Sequence, residues 1–463
     1  VMTSGNLSEE PIAQNNKEAR QRLGRLADAF LLHNREIYAR YDDSVVLVAD
    51  LPPVVENSRN EQPTQFLRRS RGYAPFPVRL PLATESILAV GAELKNTFCL
   101  TRDDFCFISQ HVGDMENLET LEHFETSISL FKHLYRIKPR TIAYDMHPNY
   151  AATKYALQSQ PEEDGESPGI RRVAVQHHHA HIAACLADNS WPAQGTGGAV
   201  GGPVIGVAWD GTGYGSDGHI WGGEFFTGEY GGFERAAHLE YLPMPGGEAA
   251  IRNPWRLAAG YVHALTGNAP KLEGIDEQQL LIVQQMVDSS INSPLTSAAG
   301  RLFDAVAALC GVRQVVTYEA QAAIELEMMS TGWAGRNKPS GGLAYPFDLE
   351  RTESGLVIRL RHMLQAIQAD LASGKDAGQV GWQFHLSLAD LILAVCQRIA
   401  SETGLQTVAL SGGCFQNRLL LDLVVPKLEG ASFRVLLHQQ VPCNDGCISL
   451  GQAVMAQAQL GVS

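Results

Sequence analysis

Apolar residues recur at helical spacing over residues 117–134, 299–310, 320–329 and 381–401, and each stretch predicts a helix. Short apolar runs at 88–90, 98–100, 171–175, 204–209 and 407–410 predict strands, several of them ending at glycine. Strand-like and helix-like stretches succeed one another along most of the chain, which favours an α/β architecture. The first residues are patterned differently. A turn is expected at 4–11, a helix at 16–30 and a strand at 44–48, followed by the basic run Arg68-Arg69-Ser70-Arg71. Pro75, Pro77 and Pro81 then punctuate the chain as a linker would, dividing it into 1–82 and 83–463. The opening Val1-Met2 runs straight into a polar turn and reads as a strand end entered midway, as in a piece of a longer protein. The acidic stretch 158–169 and the glycine-rich stretch 194–202 are expected to be surface loops.

Length and composition narrow the classes. A chain of 463 residues exceeds one ordinary core, so two to four domains are expected. No run of about eighteen apolar residues occurs, so no membrane span is expected. The formal charge of -14 argues against a broad nucleic-acid-binding surface. The eight cysteines are scattered, and neither Cys99/Cys106 nor Cys443/Cys447 has the Cys-x-x-Cys spacing of a zinc finger. Cys185, Cys310 and Cys396 read as buried helix residues. Without a signal peptide, a reducing cytoplasm is the expected compartment.

Three glycine-marked turns are candidates for holding a phosphate or nucleoside. Gly91 to Thr97 lies between two apolar strands and would present Lys95 to a phosphate. Asp210-Gly211-Thr212-Gly213 follows a buried-type strand, and its glycines let backbone N–H groups approach an anion. Ser411-Gly412-Gly413 leads from a strand to a helix whose N-terminus would face a ligand. An ordinary turn is the plainer reading of each alone. Their order, however, resembles the phosphate and adenosine loops of the actin/sugar-kinase/Hsp70-type fold.

Four histidines in five positions, His177, His178, His179 and His181, follow the strand at 171–175. Residues four apart on a helix lie about 40° apart round its axis, so His177 and His181 share a face and could grip one cation. His178 and His179 point elsewhere, to solvent or to a supporting role, with a substrate or phosphate role open to His178. Oxygen donors would complete a site with open positions. Asp210 and Asp445 are the best candidates, although each also reads as a turn-forming aspartate. Cys443 and Cys447 are less favoured soft ligands. Iron and zinc are not distinguished, and manganese or magnesium would suit two imidazoles less well.

His177-x-x-x-His181, Asp210-Gly-x-Gly, Phe303-Asp304-Ala305 with Gly311, Ser411-Gly412-Gly413-x-x-x-Asn417 and Asn444-Asp445-Gly446 resemble the TsaD-like threonylcarbamoyltransferase superfamily. Gly91 to Thr97, Ser109 to Asp114, Tyr144 to Pro148 and Gly300 to Asp304 resemble one branch of it more closely, the HypF family of NiFe-hydrogenase maturation carbamoyltransferases. Ser4, Asn6, Arg40 to Val45 and Arg68 to Gly72 resemble the back half of a YrdC-like adenylate-forming domain. The resemblance implies a two-lobed actin/sugar-kinase/Hsp70-like (ASKHA) transferase domain, preceded by the C-terminal part of a YrdC-like α/β domain. Cys447, where glycine is often found, and Cys414, inside the adenosine loop, depart from the pattern as small substitutions.

The resemblance also implies a chemistry. Carbamoyl phosphate and ATP, with magnesium, would yield carbamoyl-adenylate in the YrdC-like domain. The TsaD-like domain would pass the carbamoyl group to the C-terminal cysteine of the partner HypE, for cyanide-ligand synthesis. His177, His181, Asp210 and Asp445 would hold a divalent iron or zinc ion. Asp304 would bond the ribose, and Gly211, Gly213, Gly412, Gly413 and Asn417 would cradle the nucleotide. Lys95, His178 and Arg256 would face the reacting groups, while Ser4, Asn6, Arg40 and Arg71 would serve the adenylate-forming piece. No nucleic acid or membrane partner is expected. Two other readings stand beside this one: an antibiotic-type O-carbamoyltransferase, against which the domain order speaks, and a non-catalytic ATP-binding scaffold of the same fold.

Overall fold

The computed structural model describes residues 4–7, 10–48, 64–160, 169–192, 201–339, 344–353 and 355–461. The Val1-Met2 opening and most of the expected loops at 158–169 and 194–202 lie outside the described residues. The chain forms two compact units. One comprises Val1–Gly202, Glu229–Gly232 and Leu437–Ser463, the other Pro203–Gly228 and Phe233–Leu436.

The first unit begins with α1 (Asn16–Leu23), β1 (Val45–Val48) and β2 (Thr64–Arg68). It continues through β3 (Val78–Thr84), β4 (Ile87–Ala89), β5 (Cys99–Ile108), α2 (Leu118–Tyr135), β6 (Thr141–Asp145), α3 (Ala151–Gln158), β7 (Arg171–Val175) and α4 (His177–Asp188). Helix α1 stops at Leu23, short of the expected 16–30. It buries no residue and meets Gly24 at its C-terminus, so neither packing nor propensity extends it. Strands β1 and β2 pair antiparallel, and a five-stranded sheet runs β3-β5-β4-β6-β7. Helix α2 starts where the Asn117 side chain accepts the Thr120 amide at 2.8 Å. Its residues Thr120, Phe124, Ser127, Ile128 and Phe131 are buried at helical spacing. Phe124 and Phe131 both meet Phe98 edge-on, at 5.8 and 5.1 Å between ring centres. Burying each such ring contributes roughly 2–3 kcal/mol. Strands β4, β6 and β7 are parallel, and the last β6–β7 pair is Asp145 with Val175. The chain therefore leaves β6 at Asp145 beside the point where it leaves β7 for His177.

The second unit contains β8 (Val204–Tyr214), β9 (Ile220–Glu229), β10 (Gly232–Leu239), β11 (Leu242–Pro243), α5 (Glu248–Arg252), α6 (Pro254–Thr266), α7 (Glu277–Asp288), β12 (Leu295–Thr296) and α8 (Ala299–Leu309). Then follow α9 (Gln321–Asn337), β13 (Asp348–Thr352), β14 (Gly355–Arg359), α10 (Arg361–Ala372), α11 (Ala377–Thr403), β15 (Thr407–Ser411), α12 (Arg418–Gly430) and β16 (Arg434–Leu436). The last helix, α13 (Ile448–Gly461), belongs to the first unit. The sheet order is β13-β14-β10-β9-β8-β15-β16, with β12 at β9 and β11 paired to β12. Helices α9 and α11 are longer than their apolar spacing predicted. Helix α11 is long and apolar enough to cross a membrane by length and composition alone. Here it buries sixteen of its residues, Val380, Phe384, Leu388 and Ile392 among them, as a core helix.

The expected turn at Asp210-Gly211 is not where the chain reverses. Strand β8 continues to Tyr214, and its register with β9 shifts between Trp209 and Gly213. The reversal comes at Gly215 to His219, closed by the Gly215 amide on the His219 carbonyl at 2.9 Å. The irregularity absorbs the extra residues and re-aims Asp210 without ending the strand.

Glu224 on β9 is buried and accepts the Gly222 and Gly223 amides and the Ser297 hydroxyl, at 2.5, 2.6 and 2.5 Å. Burial outweighs these bonds and pushes its carboxyl from 4.5 up to about 7. A carboxyl with a raised folded value favours folding fully below its unfolded value, and that contribution is lost as pH rises through about 7. Glu224→Gln removes the titration. The stability of the variant relative to the parent should therefore improve between about pH 4.5 and 7, by on the order of 3 kcal/mol. Urea-unfolding midpoints of both proteins across that window measure it, and parallel pH profiles would contradict it.

Candidate metal and nucleotide sites

The first unit gathers two imidazoles and a carboxylate. Helix α4 begins at His177 because Gln176 caps it, its side chain accepting the His179 amide at 3.0 Å. His177 and His181 are both buried and share one helix face. Their Nε2 atoms lie 3.7 and 3.6 Å from Asp445 Oδ1. One donor atom from each of the three residues lies within 4.8 Å of the others. Asp445 opens a short 3-10 turn before α13, fixed by Asn444, which accepts the Gly446 amide at 3.0 Å and donates to the Leu67 carbonyl at 3.0 Å. Gly451 brings α13 against α4: a Cβ there would collide with the Ala180 carbonyl.

The far sides of both rings are held. His177 Nδ1 is 2.8 Å from Asp145 Oδ2, a buried pair. His181 Nδ1 is 3.5 Å from Cys447 Sγ. With Nδ1–H of His177 donated to the Asp145 carboxylate, its Nε2 keeps a lone pair toward Asp445, the arrangement of metal-bound histidines. Two nitrogens and a carboxylate oxygen at these separations fit a divalent iron or zinc ion. Cys447 thus supports an imidazole from behind. Asp145 was missed as a functional residue from sequence alone, because 32 residues and a helix separate it from His177.

Other expected residues belong to the same unit. The turn carrying Lys95 joins β4 to β5 and is tied to α13, where Gln452 bonds both the amide and the carbonyl of Gly91 at 2.8 and 3.0 Å. Lys95 has φ 47°, and its amide donates to Asp114 at 2.7 Å. His111 is half-buried near Arg68 and Lys95, and desolvation first, then those cations, hold it down at about 3. His178 is buried, not turned to solvent, with its Nδ1 3.2 Å from Gln176. His179 is partly buried, and desolvation lowers it to about 4. Of the first-segment residues, Ser4 bonds Asn6 at 2.5 Å, and Asn6 donates to the Leu7 and Glu10 carbonyls at 2.9 and 3.0 Å. Arg40 donates to Gln14 at 3.1 Å, and Arg71 pairs with Asp43 at 3.0 Å.

The remaining residues belong to the second unit. Asp210 Oδ1 accepts the Gly413 amide at 3.0 Å, joining the β8 irregularity to the loop after β15. A Cβ on Gly413 would lie 2.7 Å from that oxygen, so the approach needs glycine. Gly300 at the start of α8 is packed against Gly211, where a Cβ would lie 2.8 Å from the Gly211 Cα. Asp304, one turn along, pairs with Arg301 at 2.9 Å. Burial raises its carboxyl to about 6 in spite of that arginine.

The N-terminus of α12 is not open to a ligand as expected. Its Arg418 and Leu419 amides donate to Glu327 at 2.6 and 3.3 Å, and the Leu420 amide donates to Asn417 at 2.8 Å. An internal carboxylate already fills the place of an anion. Asn417 also contacts His385 Nε2 at 2.9 Å. Gly412, at φ 108°, and the 3-10 turn Gly413–Gln416 come between β15 and α12. Arg256 lies over the Trp255 ring at 5.0 Å, and Arg252 pairs with Glu248 at 3.2 Å on the surface. Cys396 and Cys185 are buried, while Cys310 caps α8 and is partly exposed. Desolvation pushes the Cys310 thiol up to about 12.

Comparison with known proteins places the chain in a family. The family model for the second subdomain of the carbamoyltransferase Kae1-like domain matches residues 206–452, and the HypF Kae1-like domain model matches 82–188. A Sua5/YciO/YrdC model, described as telomere recombination, matches 1–58. The carbamoyltransferase HypF2 of Cupriavidus necator is 39% identical over 98% of this chain, which spans 56% of that relative's length. A full-length HypF solved in a phosphate- and nucleotide-bound form superposes with a TM-score of 0.87 and 40% identity, over 99% of this chain and 67% of that one. The HypF structure from T. kodakarensis gives 0.85 and 31% identity, over 100% of this chain and 58% of that one. The fold is thus that of the Kae1-like, ASKHA-type transferases, with a YrdC-like stretch before it. The chain belongs to the HypF carbamoyltransferase family.

The Asp145–His177 pair can be tested directly. Asp145→Asn keeps the shape but removes the charge that orients His177. Affinity for zinc, measured by competition with a chromogenic chelator, should fall by roughly 10- to 100-fold with the fold intact. Unchanged affinity would show that the pair has no bearing on the metal.

Proposed function

We propose that this chain is the carbamoyl-transferring part of a hydrogenase-maturation carbamoyltransferase. It would take carbamoyl-adenylate, made from carbamoyl phosphate and ATP, and pass the carbamoyl group to the C-terminal cysteine of HypE. The observation behind this reading is the His177, His181 and Asp445 set, with each imidazole steadied from behind by Asp145 or Cys447. A purely nucleotide-binding scaffold has no need of two buried imidazoles aimed at one carboxylate. Family membership supports the reaction, and the nucleotide held by the solved relative supports a nucleotide site here.

In this reading His177, His181 and Asp445 would hold a divalent iron or zinc ion. Such an ion polarises a carbonyl and neutralises phosphate charge when bound. The chain's own residues do the rest. Gly211, Gly213, Gly412 and Gly413 offer backbone groups to the nucleotide, and Asp304 accepts a ribose hydroxyl. Lys95 faces the phosphate and offsets its charge. The acceptor thiolate comes from the partner, so no cysteine of this chain has to act as nucleophile.

Mass spectrometry of a HypE C-terminal peptide, incubated with this chain and carbamoyl-adenylate, tests the proposal. We expect the peptide to gain one carbamoyl group on its cysteine. The His177→Ala, His181→Ala double variant should slow the transfer by about 100-fold or more. No transfer by the parent chain, or equal transfer by the double variant, would refute it.

A further inference from the structure

Arg301 is a buried cation that its surroundings only partly satisfy. Its residue is 5% exposed, on the first turn of α8. One nitrogen, Nη2, pairs with Asp304 Oδ2 at 2.9 Å. Nε and Nη1 are also buried and have no hydrogen-bond partner among the described residues. A guanidinium buried with donors unmet is costly unless something completes it. What lies beside it is backbone without a side chain: a Cβ on Gly211 would stand 3.5 Å from Nη2, and Gly300 lets α8 press against that same residue. The arginine therefore sits beside Gly211 of β8.

We infer that Arg301 binds a phosphate group of the nucleotide, offering the N–H groups that Asp304 leaves unused. The inference rests on the nucleotide reading given above and adds which chemical group the arginine takes. A planar guanidinium presents parallel N–H groups that match two phosphate oxygens, and a carboxylate neighbour keeps the fork in one orientation. Asp304 then has two tasks, aligning Arg301 with one oxygen while the other is free for a ribose hydroxyl. Gly211 adds no side chain beside Nη2. Arg301 lies within the family-like stretch Gly300 to Asp304, but its role is not legible there, because a charged residue on an apolar helix reads as a surface position until its burial is known.

Calorimetric titration of the chain with ADP and with adenosine separates phosphate binding from nucleoside binding. In Arg301→Gln, ADP affinity should fall by about tenfold or more, while adenosine affinity stays within about threefold of the parent. Unchanged ADP affinity, or an equal loss for both ligands, overturns the assignment. Circular dichroism establishes that the variant folds. Should it not fold, Arg301→Lys decides, since a point charge without the fork should lower ADP affinity by about fivefold and no loss overturns the proposal. A parent chain that binds neither ligand removes the nucleotide reading itself, and the role of Arg301 with it.

Discussion

A histidine can bind a metal only through a nitrogen that carries no proton, and a free imidazole does not choose which one that is. In the first unit the choice is made by what stands behind each ring. Asp145 takes the Nδ1 side of His177, Cys447 the Nδ1 side of His181, and both Nε2 atoms are left facing Asp445. The rest of the first unit can be seen as the means of bringing these groups together. Parallel β6 and β7 end side by side, so Asp145 and His177 meet across 32 residues of chain. Helix α13 reaches α4 closely enough to deliver Asp445 and Cys447 because Gly451 has no side chain.

The second unit is built on close approach of backbones. Gly300 against Gly211 and Gly413 against Asp210 place a helix start and a loop on the irregular part of β8. That closeness leaves little room for solvent, and the charges enclosed by it respond accordingly. Glu224 and Asp304 are both pushed toward their protonated forms by burial, to about 7 and about 6. Glu327 spends its carboxylate on the start of α12, a place that would otherwise attract an anion. Anion recognition in this unit is thereby directed away from that helix end and toward Arg301 beside Gly211.

Much of this was legible in the chain. Apolar spacing located α2, α8 and α11, because their buried residues recur with the helical period whatever they pack against. The His177–His181 spacing placed two imidazoles on one face, since local helical geometry alone puts residues four apart together. The Gly412-Gly413 pair marked a loop that only glycine can form, as the φ of 108° at Gly412 bears out. Other features misled. The glycines after Asp210 signalled a turn, yet β8 passes through them because β9 pairs on either side of the irregularity. The helix start after Gly413 suggested an open anion site, but α9 supplies Glu327 to fill it.

The sequence by itself determined the elements, the family resemblance and the paired imidazoles, since each depends on residues within a few turns of one another. Only the tertiary structure decided which groups stand behind those imidazoles, which charge occupies the start of α12, and which arginine is left with donors to spare. These are contacts between residues tens to hundreds of positions apart. Their geometry is set by strand order and helix packing, and no local spacing encodes it.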